Sequence, residues 1–384
     1  MLGNRKLIVD THSEIYSMIK DRTDDVFWNL NEHIQKGQVV PNAVYVIGRE
    51  QIRLYGNLLR TLIDSAKIKV VFSSPSEGSE TLKSHCYLYG ISDLVLDNSI
   101  ILVGGGDMDD RWPCLKYDSF LPKVLDYDEN ILAISRSDEI YNKTNKPYKF
   151  LFLNGRTRPH RKYLLEQLRI SGLLDQSLWT WLDLTTGLSR NITCMHHQED
   201  LLGRPNEIKY LPIEYEFDNF QDRITVDPKG SNAFIKMHLF KNSWGDIYLK
   251  SEPYIDTYFS LVTETVFEYP YSFRTEKIWK PIAMGHPWIV ASNQGYYRDI
   301  RNLGFQTFGH VIDESFDSIE NTQDRLERIT QVVRDLCQQD LASFLKECYN
   351  VCKYNQQHLA ELRPQVQKEF PDRFFQFLKD QHFE

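Results

Sequence analysis

The sequence has little cysteine and no long apolar run. Six cysteines are scattered over 384 residues, and no two of them form a CxxC pair. In a chain of this length such spacing indicates reduced thiols rather than a disulfide framework. No apolar stretch approaches the roughly 20 residues that cross a bilayer, and the segment MLGNRKLIVD lacks the apolar core of a signal peptide. These absences predict a cytoplasmic protein without a membrane span.

An excess of positive charge and a dinucleotide-binding glycine pattern are also missing. The formal net charge is −8, which argues against broad binding to a phosphate backbone, because such binding depends on many Lys and Arg contacts. The run Gly104-Gly105-Gly106 follows a predicted strand, but it is not G-x-G-x-x-G and gives little support to a dinucleotide site. We therefore do not expect nucleic acid as a partner.

The composition is that of a globular protein, with 41% hydrophobic and 13% aromatic residues. A chain of this length can form two domains with separate cores. Strand and helix patterns alternate in the first third, which favours a parallel sheet with right-handed crossovers. The elements predicted there are a helix over Asp24–Gln35, a strand over Ala43–Ile47, a helix over Ile52–Ser65, and strands over Ile68–Ser73, Asp93–Leu96 and Ile100–Val103.

The most informative stretch covers residues 258–290. Tyr258–Thr263 is rich in β-branched and aromatic residues and predicts a buried strand, which leaves the Glu264 carboxylate at its carboxyl end. Thr275 offers an N-cap hydroxyl to a following helix. Gly285 is placed to end that helix and to lead into a strand over Trp288–Ala291.

This arrangement suits an anion beside a sugar. A helix N-terminus at the carboxyl ends of parallel strands favours negative charge, and Lys277 adds a full positive charge there. Glu276 and Glu264 would repel phosphate but suit the hydroxyls of a ribose or hexose. A nucleotide-sugar site needs both kinds of group. The alternative is structural: Glu276 and Lys277 are solvated residues of a first turn, and Glu264 caps a strand.

The stretch Phe259–Glu264 followed by Thr275–Trp279 resembles the C-terminal signature of α-1,3-fucosyltransferases. In that signature a strand ending in Phe-Glu-Asn-Ser precedes a Tyr-Val-Thr-Glu-Lys-Leu helix start. This chain departs from it with Thr263 for Phe, Thr265 for Asn and Val266 for Ser. The whole chain also resembles uncharacterised glycosyltransferase-like proteins predicted in tailed bacteriophages.

A second stretch carries arginines at a helix start. Tyr148–Leu153 predicts a strong strand, and the turn after it contains Asn154, Arg156 and Arg158 before a helix that includes Arg161. Guanidinium groups bind phosphate oxygens in pairs, and cations at a helix N-terminus oppose its dipole unless an anion compensates them. The resemblance implies that Arg161 contacts the diphosphate and that Asn154 lies in the turn, with Arg158 as a further candidate.

Acids that follow the strand over residues 68–73 are candidates for a general base. Such a base must take the proton of an acceptor hydroxyl as it attacks the anomeric carbon. Glu77 and Glu80 are the residues we predict, with His85 as a further candidate. A capping loop with solvated acids is the structural alternative.

We expect no metal site. Asp107-Met108-Asp109 has the acid spacing of the Asp-X-Asp metal motif of the other major glycosyltransferase fold, which would imply Mg²⁺ or Mn²⁺ on the diphosphate. We interpret the match as coincidental, because the Thr-Glu-Lys segment offers a metal-free way to neutralise the same charge.

The sequence thus predicts an α/β protein with two Rossmann-like domains facing across a cleft, the GT-B type implied by the resemblance. The predicted divisions are residues 1–145 on the acceptor side, 146–340 for the nucleotide sugar, and 341–384 as helices packing back towards the first domain. The expected activity is metal-independent transfer of a fucose-like sugar from a GDP-linked donor, a co-substrate rather than a cofactor, to a hydroxyl acceptor such as a glycan. The rival hypotheses are a non-catalytic nucleotide- or glycan-binding protein and a phage-type enzyme that glycosylates DNA bases.

Overall fold

The computed structural model describes residues 3–108, 111–154, 158–181 and 249–383. Arg156 and Asp109 lie outside these residues. The protein is α/β with parallel sheets, as the alternation of strands and helices predicts. It divides into two compact units: the first contains Met1–Pro122, Tyr271–Arg274 and Leu362–Glu384, and the second contains Lys123–Pro270 and Thr275–Glu361.

The first unit is built on a parallel sheet with the strand order β2-β1-β3-β4-β5-β6. Its strands are β1 Leu7–Asp10, β2 Asp25–Phe27, β3 Val44–Gly48, β4 Lys69–Gly78, β5 Ile100–Gly105 and β6 Cys114–Lys116. The central strands are buried on both faces, which explains why they read as continuous apolar runs. The helices are α1 Tyr16–Ile19, α2 Leu30–Gln35, α3 Arg49–Ala66, α4 Ser79–Leu88, α5 Ser92–Leu96 and α6 Phe120–Lys123, the last of which ends one residue beyond Pro122.

Different helices cover the two faces of this sheet. Alternate residues such as Ile8, Tyr45 and Phe72 pack with residues of α2 to α5. The residues between them, such as Val9 and Val46, pack with the segment after β1 and with the end of the chain. The chain-end residues on this second face are Phe370, Phe374, Leu378 and Phe383.

Two predicted elements of the first unit are wrong. Residues 24–35 were predicted as one helix, but they form β2 and α2, because Val26 and Phe27 pair with β1 and Asn29 caps the helix that follows. Residues 93–96 were predicted as a strand but lie in α5, where Leu94 and Val95 are buried and Leu96 is exposed. A short apolar run fits either element, and packing decides between them.

The second unit contains a parallel sheet with the strand order β10-β9-β7-β8 among the described residues. The strands are β7 Phe150–Asn154, β8 Leu178–Trp181, β9 Phe259–Thr263 and β10 Trp288–Ala291. The helices are α7 Asp128–Ile134, α8 Glu139–Asn142, α9 Pro159–Ile170, α10 Glu252–Ile255, α11 Glu276–Met284, α12 Tyr296–Asn302 and α13 Thr322–Leu336. The predicted N-cap at Thr275 and the left-handed Gly285 that ends α11 are confirmed.

The last helix, α14, runs without a break from Leu341 to Asp380, within the residues 341–384 that were predicted to form helices. Its residues as far as Glu361 belong to the second unit, and those from Leu362 belong to the first. Within the described ranges, no helix is both long enough and apolar enough to cross a membrane.

A close backbone approach in the first unit predicts a large effect of one glycine substitution. Gly106 has φ 75°, and a Cβ there would overlap the carbonyl oxygen of Ser272. Gly37 has φ 67° but no atom within 4 Å of such a Cβ. We expect both Gly→Ala variants to lose about 1 kcal/mol of unfolding free energy for the positive φ. Gly106→Ala should lose about 1–3 kcal/mol more from the overlap.

Denaturant unfolding of both variants measures this difference. Equal destabilisation of Gly106→Ala and Gly37→Ala would contradict the close packing of the Tyr271–Arg274 segment against the end of β5.

Candidate functional site

The candidate site lies at the point where the strand order of the second sheet reverses. β7 lies between β8 and β9, so the chain leaves β7 for the neighbour on one side and returns to the neighbour on the other. Ligands of open parallel sheets bind outside the carboxyl ends of the strands at such a point. Asn154 ends β7 and Thr263 ends β9, and the Thr263 hydroxyl donates to Asn154 Oδ1 at 2.8 Å.

Glu264 follows β9 and is 0% exposed. Its carboxylate accepts hydrogen bonds from the Thr275 amide at 3.0 Å and the Thr275 hydroxyl at 2.7 Å. The Tyr296 hydroxyl donates to the same carboxylate at 3.2 Å. Burial raises the pKa of Glu264, although the Lys277 charge and the Thr275 donors act to lower it. The carboxylate therefore holds the starts of α11 and α12 against the end of β9.

The first turn of α11 carries the Thr-Glu-Lys segment. The Thr275 hydroxyl accepts from the Lys277 amide at 3.4 Å as an N-cap. The Lys277 ammonium donates to the same hydroxyl at 3.1 Å and to Glu276 at 2.7 Å. The Lys277 side chain is 24% exposed and the Glu276 side chain 9%. Lys277 thus lies at the rim of the site, above the N-terminus of its own helix.

The start of α9 reaches the same strand end from the other side of the site. Arg158 is the N-cap residue, and Pro159 is the first helical residue, a position where proline costs no hydrogen bond. Arg161 is 2% exposed, and its Nη2 donates to the carbonyls of Thr263 at 3.0 Å and Glu264 at 3.2 Å. Two helix N-termini, those of α9 and α11, therefore meet at Glu264.

His160 is a buried neighbour that the sequence interpretation did not single out. Its Nε2 lies 3.0 Å from the carbonyl oxygen of Glu264, and its ring stacks on Phe267 with 4.9 Å between centroids. Burial first, and then the charge of Arg161, lower the pKa of His160 to about 3. The ring is neutral at pH 7, and because a carbonyl only accepts, Nε2 carries the proton.

Arg325 is a second buried cation that the sequence interpretation missed. It lies in α13 and donates to the carbonyls of Ser292 at 3.1 Å, Ile319 at 2.7 Å and Phe267 at 2.7 Å. Its guanidinium carbon is 4.7 Å from the centroid of the Phe267 ring. Nothing in the amphipathic pattern of this helix distinguishes Arg325 from a solvated arginine, because its partners are backbone carbonyls outside the helix, and those of Ser292 and Phe267 are distant in sequence.

The structure brings most of the predicted nucleotide-sugar residues together. Asn154, Arg161, Glu264, Thr275, Glu276 and Lys277 form one continuous chain of hydrogen bonds with Thr263. Arg158 is close enough that its charge lowers the pKa of His160. The contacts of Glu264 support the structural alternative for that residue. Its role as a ligand of sugar hydroxyls remains a prediction.

The predicted bases lie in the first unit. Glu77 is in the last part of β4 and accepts from the Arg49 guanidinium. Glu80 is in the first turn of α4, with Oε1 3.5 Å from the Lys83 ammonium. In the described chain, its buried Oε2 has no hydrogen-bond partner. His85 is bonded through Nδ1 to the Thr81 carbonyl at 2.6 Å.

Asp107, the first acid of the predicted Asp-X-Asp motif, is paired with a lysine. Asp107 accepts a hydrogen bond from the Lys116 ammonium at 2.7 Å. In the part of the chain that the structure describes, no three His, Cys, Asp or Glu side chains are grouped as metal ligands.

No protein-family model, curated protein or solved structure matches this chain. The site is therefore interpreted from its own geometry.

The low pKa of His160 predicts a pH-dependent stability. The unfolded chain binds a proton near the ordinary pKa of 6.5, whereas the folded chain resists it down to about 3. The folded state therefore gains stability from the neutral ring above pH 6.5 and loses it as the pH falls towards 3. At pH 4.5 the loss should be about 2–3 kcal/mol.

Denaturant unfolding of wild type and His160→Gln at pH 7.5 and 4.5 tests this. The difference at pH 7.5 reports packing and hydrogen bonding, and its change on acidification reports protonation. His286, whose pKa is also lowered to about 3, is present in both proteins and cancels. A difference that stays constant between the two pH values would contradict the predicted shift.

Proposed function

We propose that this protein is a glycosyltransferase. It transfers a fucose-like sugar from a nucleoside diphosphate donor, GDP-linked, to an acceptor hydroxyl by direct displacement without a metal. The observation that carries the proposal is the meeting of two helix N-termini, with their cations, at the end of β9. Helix dipoles and cations at one strand end together favour a diphosphate.

The cations differ in what they can contact. We assign direct contact with phosphate oxygens to Lys277, whose side chain is partly exposed, and to Arg158, which is half-buried at the N-cap of α9. The Arg161 and Arg325 side chains lie deeper, and each donates to backbone carbonyls. These two keep full charges under the site. The four cations are accompanied by two carboxyl groups, those of Glu264 and Glu276.

The chemistry that follows is stabilisation of a leaving group. As the bond between the anomeric carbon and the diphosphate breaks, negative charge grows on the diphosphate oxygen. Fixed cations and helix dipoles lower the energy of that charge without reorganising. The acceptor oxygen attacks from the opposite face, so the anomeric centre is inverted. We assign to Glu276, beside Lys277, the role of accepting hydrogen bonds from the hydroxyls of the donor.

The acceptor must lose its proton as it attacks. Of the two acids predicted for this step, Glu80 is favoured, because its Oε2 has no partner in the described residues, whereas Glu77 is paired with Arg49. This step requires the two units to face one another across the donor, as in the GT-B arrangement.

Nucleotide binding is the first test. The midpoint of thermal unfolding is measured with GDP, UDP, dTDP, CMP and ADP, with and without Mg²⁺. At 100 times its dissociation constant, a ligand stabilises by about 2.7 kcal/mol, or roughly 5–10 °C in a unit of this size. We expect a shift that is selective for GDP, independent of Mg²⁺ and lost in Lys277→Ala.

A matched control removes a different lysine from the same unit. Lys353 pairs with Asp138 at 2.5 Å and has a side-chain exposure of 30%, close to that of Lys277. Lys353→Ala should keep the full GDP shift. A thermal shift with another nucleotide instead would mean that the donor carries that nucleotide rather than GDP. No shift with any of the five nucleotides would contradict the proposed nucleotide site.

The base assignment predicts a difference between two acids. With GDP-fucose as donor and methyl glycosides as acceptors, Glu80→Gln should lower kcat for GDP release by about 10²–10⁴-fold. Its GDP-induced thermal shift should be unchanged. Glu77→Gln is the control and should retain most of the activity. Equal activity in Glu80→Gln and wild type would remove Glu80 from this role, and GDP binding without transfer in wild type would favour the non-catalytic alternative.

A further inference from the structure

A small cavity in the second unit lies between the end of α8 and the first turns of α14. Its volume is about 190 Å³, and an engineered protein cavity of about 150 Å³ holds a benzene ring. The residues that line it come from two segments, 141–144 and 342–349. None of them takes part in the proposed nucleotide site, so the cavity has no role yet.

Aromatic and apolar side chains form much of the wall of this cavity. Tyr141 and Tyr349 meet nearly at right angles, with an interplanar angle of 87° and 4.8 Å between ring centroids. The Tyr141 hydroxyl donates to the Gly285 carbonyl at 2.7 Å, which holds that ring in place, whereas Tyr349 is 43% exposed. The buried Leu345 and the half-buried Ala342 also line the space. Two perpendicular rings offer a face and an edge to a third flat ring.

Two lysines give the cavity a positive charge. Lys143 and Lys346 line it, and its described lining residues include no carboxylate, although the chain as a whole has a net charge of −8. Lys143 donates to Asp256 at 2.5 Å, but an ammonium group has three donors, so two remain. Lys346 is exposed. The cavity therefore combines an apolar wall with donors for an anion.

Asp340, which precedes α14, is an acid that feels the charge of Lys346. Hydrogen bonds from Ser343 and Ala342, and then the Lys346 charge, lower the pKa of Asp340. Its carboxylate accepts from the Ala342 amide at 3.1 Å and from the Ser343 hydroxyl at 2.7 Å. Asp340 therefore caps the start of α14, and the donors of Lys346 stay available to a ligand.

We propose that this cavity binds a single-ring aromatic carboxylate, with the ring against Tyr349 and the carboxylate on Lys143 and Lys346. The volume and the perpendicular tyrosines match a flat ring, and charge-assisted hydrogen bonds from two ammonium groups match a carboxylate. A bare phosphate would leave the apolar wall without a partner. A sugar would need hydrogen-bond partners that Ala342 and Leu345 do not supply. The inference is independent of the proposed nucleotide site.

Ligand-observed NMR of the full chain with benzoate, benzamide, acetate and inorganic phosphate tests the ligand chemistry. Small ligands bind weakly, so concentrations extend to about 10 mM. We expect benzoate to bind and each of the others to bind about tenfold more weakly or worse, because benzamide lacks the charge and acetate and phosphate lack the ring.

Each part of the assignment has an outcome that overturns it. Equal affinity for benzamide would remove the carboxylate from the proposal, and equal affinity for acetate or phosphate would remove the ring. No binding of benzoate would overturn the proposal as a whole.

A lysine variant tests where the carboxylate lies. Lys346→Met keeps the apolar stem and removes the charge, so benzoate affinity should fall about tenfold, the usual effect of losing one hydrogen bond to a charged group. Lys162 is also exposed and lies in α9 of the same unit, away from the residues that line the cavity. Lys162→Met is the matched control and should bind benzoate like wild type. Unchanged affinity in Lys346→Met, or an equal loss in both variants, would overturn the assignment.

A second variant fills the cavity itself. Ala342→Phe places a ring in the space that we assign to the ligand, so benzoate binding should be lost while the midpoint of thermal unfolding shows that the protein still folds. Wild-type affinity for benzoate in folded Ala342→Phe would overturn the site.

Lys277→Ala keeps this cavity apart from the proposed nucleotide site. It should bind benzoate like wild type, and a loss there would contradict two independent sites. Benzoate binding without any nucleotide-induced thermal shift would leave this inference standing and remove the proposed function alone.

Discussion

The second unit depends on one buried carboxylate. Glu264 follows β9, and donors from Thr275 and Tyr296 bond its side chain while His160 and Arg161 bond its carbonyl. These partners open three different helices, so one residue sets where three first turns begin. A buried carboxylate without such donors would be costly, and a buried donor without an acceptor is costly as well. Glu264 and the groups that bond it therefore depend on one another. The end of β9 thereby fixes where the cations of the neighbouring helices lie.

In the same arrangement, some cations are buried and bond the protein's own carbonyls, whereas others are partly exposed. Burial favours the neutral form of Glu264 and of His160, while the neighbouring guanidiniums of Arg161 and Arg325 stay charged because arginine holds its proton under all ordinary conditions. The strand end is thereby surrounded by positive charge whose bonding capacity is used largely on carbonyls. Of the cations named, Lys277 and Arg158 lie at helix starts and are partly exposed. The proposed function assigns the attraction of the anion to the buried cations and its direct contact to the partly exposed ones.

How much of this the sequence predicts depends on how local each signal is. The helix from Thr275 to Gly285 is predictable because its cap, its apolar face and its terminating glycine are all within the element. The partners of Glu264 are not, since Tyr296 is 32 residues away and only the paired strands bring the two together. The buried position of Arg325 could not be predicted for a similar reason, since two of its partners, Ser292 and Phe267, are distant in sequence. The error at residues 24–35 arose because a three-residue strand carries too few residues to show a period.

The first sheet depends on residues far along the chain to bury one of its faces. One of its faces is covered by Phe370, Phe374, Leu378 and Phe383, yet its strands end by residue 116. During synthesis at about 5–20 residues per second, the β-branched residues of that face wait roughly ten to fifty seconds for their cover. The strands of this sheet thus leave the ribosome well before their core is complete. For that interval, nascent-chain chaperones and the emerging second unit have access to an apolar surface that the finished protein never exposes.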